Sequence, residues 1–363
     1  MRLNRIFYLF AVLAGFFVSG QSFAWVPIAT CNGQNVKWSS SNASMSASGV
    51  GFPVGDWRNA LSETVSKWYN QPSNFSISMS WDDASVGLGN GQNEVWWSSN
   101  FGAPAITNFW YNTQTCTFTE ADVRFDNTVA YHFTHTASSL WPYGGGSRPF
   151  QTTAMHELGH VAGLGHEGDV YNIMGEDWTH IHANCGLAYA YPGEDAVSGV
   201  VALYGAWAGA LEELGVANWR RTGVLGGGYS DHSRTRLFDA ATGAELPLWS
   251  SFPEPVYRVN AGQSVRLELT YENMGKTTPL LADARVYLST NNCITSLDTV
   301  MENFWVSQSR DVPFLTTRTI TIPTTLASGS LRWLGASIDD PAAHSESYDN
   351  DYENASYIGI RVN

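Results

Sequence analysis

The feature that most constrains this chain is the run His156-Glu157-Leu158-Gly159-His160-Val161-Ala162-Gly163-Leu164-Gly165-His166. His156 and His160 are four apart, so on a helix they lie one above the other on a single face and can grip one ion, with Glu157 beside them to manage a proton. Gly163 lets the backbone leave the helix at positive φ, a conformation that a Cβ resists. His166 then returns as a third donor. Three imidazoles leave a fourth position for water, the arrangement of catalytic rather than structural zinc. Met174 lies eight residues beyond His166, in the turn Asn172-Ile173-Met174-Gly175.

The chain begins with Arg2 and Arg5, an apolar run over 6–18 and Ser22-Phe23-Ala24, which together read as a signal peptide cleaved after Ala24. That run is shorter than the roughly 20 residues a membrane span needs. The expectation is therefore a secreted, extracellular protein. In an oxidising compartment an even number of cysteines favours disulfides. Cys31, Cys116, Cys185 and Cys293 allow three full pairings, and each joins Cys293 to the first part of the chain. Connectivity does not follow from sequence; Cys31 with Cys116 and Cys185 with Cys293 is only a preference. With 19 Lys plus Arg against 33 Asp plus Glu the net charge is -14, which repels phosphate backbones and makes nucleic acid a poor partner.

Along the chain, 25–205 mixes the two periodicities. Strands are expected at Val36–Trp38, Phe75–Trp81, Asn93–Trp97, Ile106–Tyr111 and Ala121–Phe125, and helices at Gly55–Tyr69, from Phe150 and at Glu194–Tyr204. The His-rich stretch between the last two helices has neither period. Residues 206–250 read as a linker and the start of a second domain. In 251–363 the alternation of Val265, Leu267, Leu269 and Tyr271 with Arg266, Glu268 and Thr270, repeated around Ile320 and Ile358, predicts short antiparallel strands with one wet face and hence a β-sandwich.

The pattern HExxHxxGxxH followed by a methionine turn resembles the metzincin metallopeptidases, most closely the matrixin-like branch. The resemblance covers about 25–205. It implies an α+β catalytic domain, a twisted mixed sheet above an active-site helix, with His156, His160 and His166 as ligands of one Zn2+, Glu157 as general base and Met174 as a floor beneath the imidazoles. Gly163 supports the turn. It also implies an edge strand near Ile106–Tyr111 that holds an extended peptide, and a pocket wall over Glu176–Gly193. The activity implied is hydrolysis of peptide bonds in protein or peptide substrates through a metal-bound water. Two departures stand out: no room is left for a propeptide before Val36, and Glu176 occupies the position at which the astacin and serralysin branches place a tyrosine ligand.

In the second domain, Ala261 to Val265, Glu272 to Gly275, Val286 to Ser289 and Asp298 resemble the bacterial cell-adhesion-related domain, an immunoglobulin-like sandwich. That likeness implies an accessory role with a cell-surface or matrix ligand. It keeps an alternative in view: a binding or adhesion protein whose metal site is idle. Other candidates are weaker. His132 and His135 could hold a structural metal, but loop histidines are favoured. His180 and His182, near Asp177, read as exposed residues of the pocket wall. Asp122 and Asp126, and the cluster Asp339, Asp340, Asp349, Asp351 and Glu353, are candidates for Ca2+, with solvated carboxylates as the simpler reading.

Overall fold

The computed structural model describes residues 25–167, 173–175, 180–208, 213–216, 235–251, 254–275, 280–308, 314–339 and 355–363. The signal segment, Asn172, Glu176, Asp177 and four members of the acidic cluster (Asp340, Asp349, Asp351, Glu353) lie outside the described residues.

The first region opens with a short ladder of β1 (Thr30–Cys31) and β2 (Gln34–Asn35). After it come β3 (Asn42–Ser48), α1 (Asp56–Tyr69), β4 (Ser76–Asp83), β5 (Glu94–Ser98), β6 (Ala105–Asn112) and β7 (Thr117–Asp126). The five long strands form one sheet of order β4-β3-β5-β7-β6. β3, β4, β5 and β7 run parallel, and β6 runs antiparallel to β7 at one edge. A second short ladder, β8 (Tyr131–His132) with β9 (Arg148–Pro149), leads into α2 (Phe150–Val161). The hairpin β10 (Ile181–Asn184) and β11 (Leu187–Ala190) follows, and then α3 (Gly193–Tyr204).

The strand expected at Val36–Trp38 is replaced by β3, in the segment Asn-Ala-Ser-Met-Ser-Ala-Ser. Ala43, Met45 and Ala47 alternate inward and are buried, but small residues between serines carry too little apolar contrast to announce a strand. The hairpin in the His-rich stretch was equally silent. α2 is buried along its whole length, as a helix clasped on all sides must be; α1, β6, β7 and β11 all pack on it. Trp68 of α1 is fully buried and donates from Nε1 to the Met155 carbonyl at 3.1 Å, fixing α1 against α2.

The second region comprises β12 (Leu214–Val216), β13 (Arg236–Asp239), β14 (Leu248–Ser250), β15 (Val256–Val259), β16 (Ser264–Asn273), β17 (Leu280–Ser289), β18 (Thr299–Gln308), β19 (Phe314–Thr321), β20 (Leu331–Asp339) and β21 (Ala355–Val362). One sheet has the order β14-β15-β21-β20-β17-β18; in the other, β16 pairs with β12, β13 and β19. Leu267, Leu269, Tyr271 and Ile320 from one sheet share a core with Tyr257, Val286, Leu334 and Ile358 from the other. Each large side chain buried there contributes roughly 1.5–3 kcal/mol.

The fold class expected from the resemblance is corrected by this inventory. Helices α1, α2 and α3 have 14, 12 and 12 residues and stand against 21 strands among the described residues. The protein is predominantly β, in several sheets, rather than an α+β domain followed by a sandwich. The physical reason lies in the strands that carried no readable period, β3 and the β10–β11 hairpin among them.

Two disulfides, Cys31–Cys116 and Cys185–Cys293, use all four cysteines. The first ties the β1–β2 ladder to the start of β7. The second ties the end of the β10–β11 hairpin to the loop between β17 and β18, so the two regions are covalently joined. Asn184 reinforces the junction, donating from Nδ2 to the Ile294 carbonyl at 3.0 Å and accepting from its N–H at 2.8 Å. Disulfides persist in oxidising compartments, which supports an extracellular location. No helix among the described residues is long and apolar enough to cross a membrane.

Candidate metal centre

α2 carries His156 and His160, and the chain turns out of it at Gly163, whose φ is +98°. The turn is cramped as well as left-handed: a Cβ there would meet the Val36 carbonyl oxygen at 3.3 Å. The Ile28 N–H donates to the Gly163 carbonyl at 2.9 Å, holding the turn against the segment that precedes β1. The chain then brings His166 back, so that its Nε2 lies 3.1 Å from Nε2 of His156 and 3.0 Å from Nε2 of His160.

The other ring nitrogens decide what this convergence means. Nδ1 of His156 lies 2.7 Å from the Ile173 carbonyl oxygen, and Nδ1 of His160 lies 2.8 Å from that of Leu164. A carbonyl only accepts, which assigns the ring hydrogen to Nδ1 in both cases. The Nε2 atoms therefore present lone pairs to one another and to His166. Burial holds both rings neutral, His156 well below the ordinary histidine value and His160 at about 4, the neighbouring imidazoles adding to the effect. Both lone pairs lie about 3 Å from Nε2 of His166, where one ring hydrogen could serve only one of them, whereas a cation among the three serves all. Zinc–nitrogen bonds of about 2.0–2.1 Å on a tetrahedron place nitrogens ~3.3 Å apart, so the donor set fits zinc.

Ile173 links this site to the methionine turn. Met174 is buried and accepts from the Glu167 N–H at 3.1 Å. It packs so closely under α2 that a Cβ on Gly159 would fall 2.3 Å from its Sδ. Glu157, on the same helix, is 2% exposed. Burial pushes its carboxyl up to about 7, against the lowering effects of a hydrogen bond from Thr107 and of the Arg148 charge. The Thr107 hydroxyl donates to Oε2 of Glu157 at 2.6 Å. Thr107 was not legible as a site residue, since only the register of β6 over α2 brings it there.

The remaining candidates fare differently. His132 bonds through Nε2 to the Thr134 hydroxyl at 2.7 Å. His135 is held by the Ala188 carbonyl at 3.1 Å and the Glu63 carboxylate at 2.9 Å, stacked on Tyr189; the two do not form a metal cluster with each other. Asp126 is occupied by the Thr128 N–H and hydroxyl. Asp122 is buried within β7 and accepts from the Glu94 N–H at 3.1 Å. The reading of His180 and His182 as exposed is corrected: they are 1% and 0% exposed, in or beside β10, and meet Glu272 of β16. Two groups of side chains among the described residues are thus arranged to hold an ion, His156/His160/His166 and His180/His182/Glu272.

No protein-family model matches this chain. No curated protein matches it either. Among solved structures, it is similar to the cell-adhesion-related CARDB domain of a Pyrococcus furiosus protein, solved in complex with di-metal ions. The two are 14% identical over 42% of this chain and 90% of that one, with a TM-score of 0.26. It is also similar to AsqI with Zn, 9% identical over 42% of this chain and 40% of that one, TM-score 0.23. The N-terminal domain of PorA is 12% identical over 36% of this chain and 97% of that one, TM-score 0.17. The similar structures thus include a CARDB domain, as the second part of the sequence resembles, and no metallopeptidase is among the three. The metzincin, matrixin-like classification is corrected by the strand-dominated fold described above, and the comparisons lend the protease label that came with it no support. The chemistry of the first metal centre stands on its own residues.

Proposed function

We propose that His156, His160 and His166 hold one divalent ion, zinc by the chemistry of the donor set, and that this centre hydrolyses peptide bonds. The observation that carries the reading is the convergence of three Nε2 atoms, two of them with their ring hydrogens committed to carbonyls on the far side. When bound, such an ion polarises a carbonyl and acidifies water. The protein supplies the rest. Glu157 is positioned to accept a proton from the attacking water and pass it to the leaving amine. Thr107 fixes its orientation through Oε2, so Oε1 is the oxygen that takes the proton. Thr107 belongs to β6, the antiparallel edge of the sheet. A peptide added along that edge by backbone hydrogen bonds would run past Glu157, which favours an extended substrate.

A library of unstructured peptides, incubated with the secreted chain before and after chelation, tests this. Cleavage that chelator abolishes and zinc restores is the expected result. A zinc-loaded protein that cleaves nothing would leave the second reading, a cell-surface binding protein with an idle metal site. One observation favours that reading: Val300 and Trp305 are exposed apolar side chains on β18, the edge strand of the six-stranded sheet, a surface fit for a partner.

A further inference from the structure

We infer that His180, His182 and Glu272 form a second metal site, a structural one that clamps the two regions of the protein together. Nε2 of His180 lies 3.1 Å from Oε1 and 3.2 Å from Oε2 of Glu272, and Nε2 of His182 lies 3.6 Å from Oε2. The three ligand atoms fall within 4.8 Å of one another and all three residues are buried. His180 and His182 belong to the first region, and Glu272 comes 92 residues after His180 in sequence.

The logic of the ring hydrogen applies again. Nδ1 of His180 lies 3.2 Å from the Tyr191 carbonyl oxygen, which can only accept. A neutral ring then turns a lone pair toward both oxygens of a carboxylate, acceptor against acceptors. A cation must lie between them, either a proton on the imidazole or a metal ion. The second imidazole decides in favour of the metal. A proton on either ring pairs that one imidazole with Glu272, whereas a metal engages both nitrogens, which lie 3.1 and 3.6 Å from the carboxylate, at once, a donor set suited to zinc and its neighbours among the divalent transition metals.

The surroundings keep room for this. Gly193, at φ +77°, stands where a Cβ would approach Nε2 of His180 to 2.8 Å, and a Cβ on Gly215 would come within 3.3 Å of the His182 ring and 3.5 Å of Glu272. One glycine opens α3 and the other lies in β12, so both regions leave space at the cluster. Strand β16 shows the same adaptation. Its outward face was expected to be wet, yet Thr270 and Glu272 on that face are both 0% exposed; Glu272 meets His180 and His182 of the first region, and α3 packs on the strand. A carboxylate taken fully out of water costs several kcal/mol unless a cation compensates it. With no solvent access the site suits a structural role, and it lies on the same hairpin as the Cys185–Cys293 disulfide.

Metal counting tests the inference independently of peptide cleavage. The parent chain, dialysed with Zn2+ and then against metal-free buffer, is expected to retain two ions. A His160→Ala, His166→Ala variant, stripped of the first centre and of cleavage, should retain one, and adding His182→Ala should bring the count to zero. Zero ions in the first variant overturn the inference, as does one ion surviving His182→Ala. X-ray absorption on Co2+-loaded parent protein gives a readout that needs no substitution to fold. Two sites that together carry five imidazoles and one carboxylate are expected, and a spectrum accounted for by a three-imidazole site alone overturns the proposal. Failure of the hydrolase reading would show as absent cleavage with both metal counts unchanged.

Discussion

The two histidine clusters solve the same problem, holding imidazole nitrogens about one cation, by opposite routes. In His156/His160/His166 all donors lie within 11 residues, spaced by a helix turn and one glycine. In His180/His182/Glu272 the short strand β10 and the residue before it offer two donors and a strand of the other region supplies the third. The first cluster is open at His166, which is exposed, and has a carboxylate beside it with a raised pKa. The second is sealed. A cluster encoded locally can be kept accessible and used for chemistry; one that exists only after two regions dock is suited to recording that they have docked. Substitutions at the first should therefore alter rate, and substitutions at the second should alter stability.

The largest expected effect falls on Glu157. Glu157→Ala should lower kcat on a peptide substrate by on the order of 10²- to 10⁴-fold, the range for loss of a positioned general base, while the protein keeps its metal and its unfolding temperature. Undiminished cleavage in that variant would remove the proposed chemistry from the first cluster altogether.

Matched glycine substitutions sharpen the contrast. Gly159→Ala drives a Cβ to 2.3 Å from Sδ of the buried Met174 and 3.3 Å from the Trp68 ring, so overpacking should cost about 1–3 kcal/mol. Because α2 carries the ligands, cleavage should fall with it. Gly193→Ala combines a strained left-handed backbone with displacement of the His180 ring, and should cost a similar ~1–3 kcal/mol. Per folded molecule, however, its kcat should stay within a few-fold of the parent. Denaturant unfolding and active-site-normalised kinetics on the two variants check both statements; equal losses of kcat would erase the distinction between the clusters.

The same contrast explains what the sequence disclosed. His156, Glu157, His160, Gly163 and His166 were legible because helix periodicity and one positive φ suffice to bring them together, and Met174 was singled out only through the resemblance of its turn to the metzincin methionine turn. Nothing local connects Thr107 with Glu157, 50 residues away, or Glu272 with His182. Those contacts depend on which strand lies at the sheet edge and on how the two regions meet. The alternation in β16 correctly put Val265, Leu267, Leu269 and Tyr271 in a core but said nothing of a second covering over Glu272. In β3 the inward residues were too small to produce a signal at all, and the fold class was misjudged partly for that reason.

Thr107→Val tests the link between the edge strand and the base. It keeps the shape of the side chain and removes the hydroxyl that donates to Oε2 of Glu157, a hydrogen bond to a charged group worth roughly 1.5–3 kcal/mol at most. With an isosteric replacement and a substrate that helps to align the carboxylate, the expected loss is nearer ~1 kcal/mol, about 5-fold in kcat. KM should be unchanged, because the threonine's backbone, which would pair with the peptide, is intact. A rise in KM with constant kcat would mean that Thr107 serves substrate binding instead.

The smallest effect concerns the other attachment of the hairpin that carries the second cluster. Opposite its disulfide, the β10–β11 hairpin is tied to α1 through Lys67, which donates to the Ala190 carbonyl at 2.6 Å and pairs with Glu63 at 3.0 Å. Glu63 also binds His135, which in turn holds Ala188. Burial alone would raise the Glu63 carboxyl, but the His135 hydrogen bond and the Lys67 charge outweigh it and bring the pKa from 4.5 to about 2. A carboxylate whose folded pKa is depressed stabilises the protein above its unfolded pKa, and that contribution is lost as pH falls through the folded value. The stability gap between the parent and Glu63→Gln should therefore be constant above pH 4.5 and close as pH approaches 2. Its size at neutral pH should be about 1 kcal/mol, since the Glu63 side chain is 26% exposed and solvent screens the pair. Urea unfolding at intervals across that window measures it. A gap that persists unchanged to the acid end would mean that the hairpin is held on this side by packing alone, and that the fastening sensitive to charge lies at Glu272.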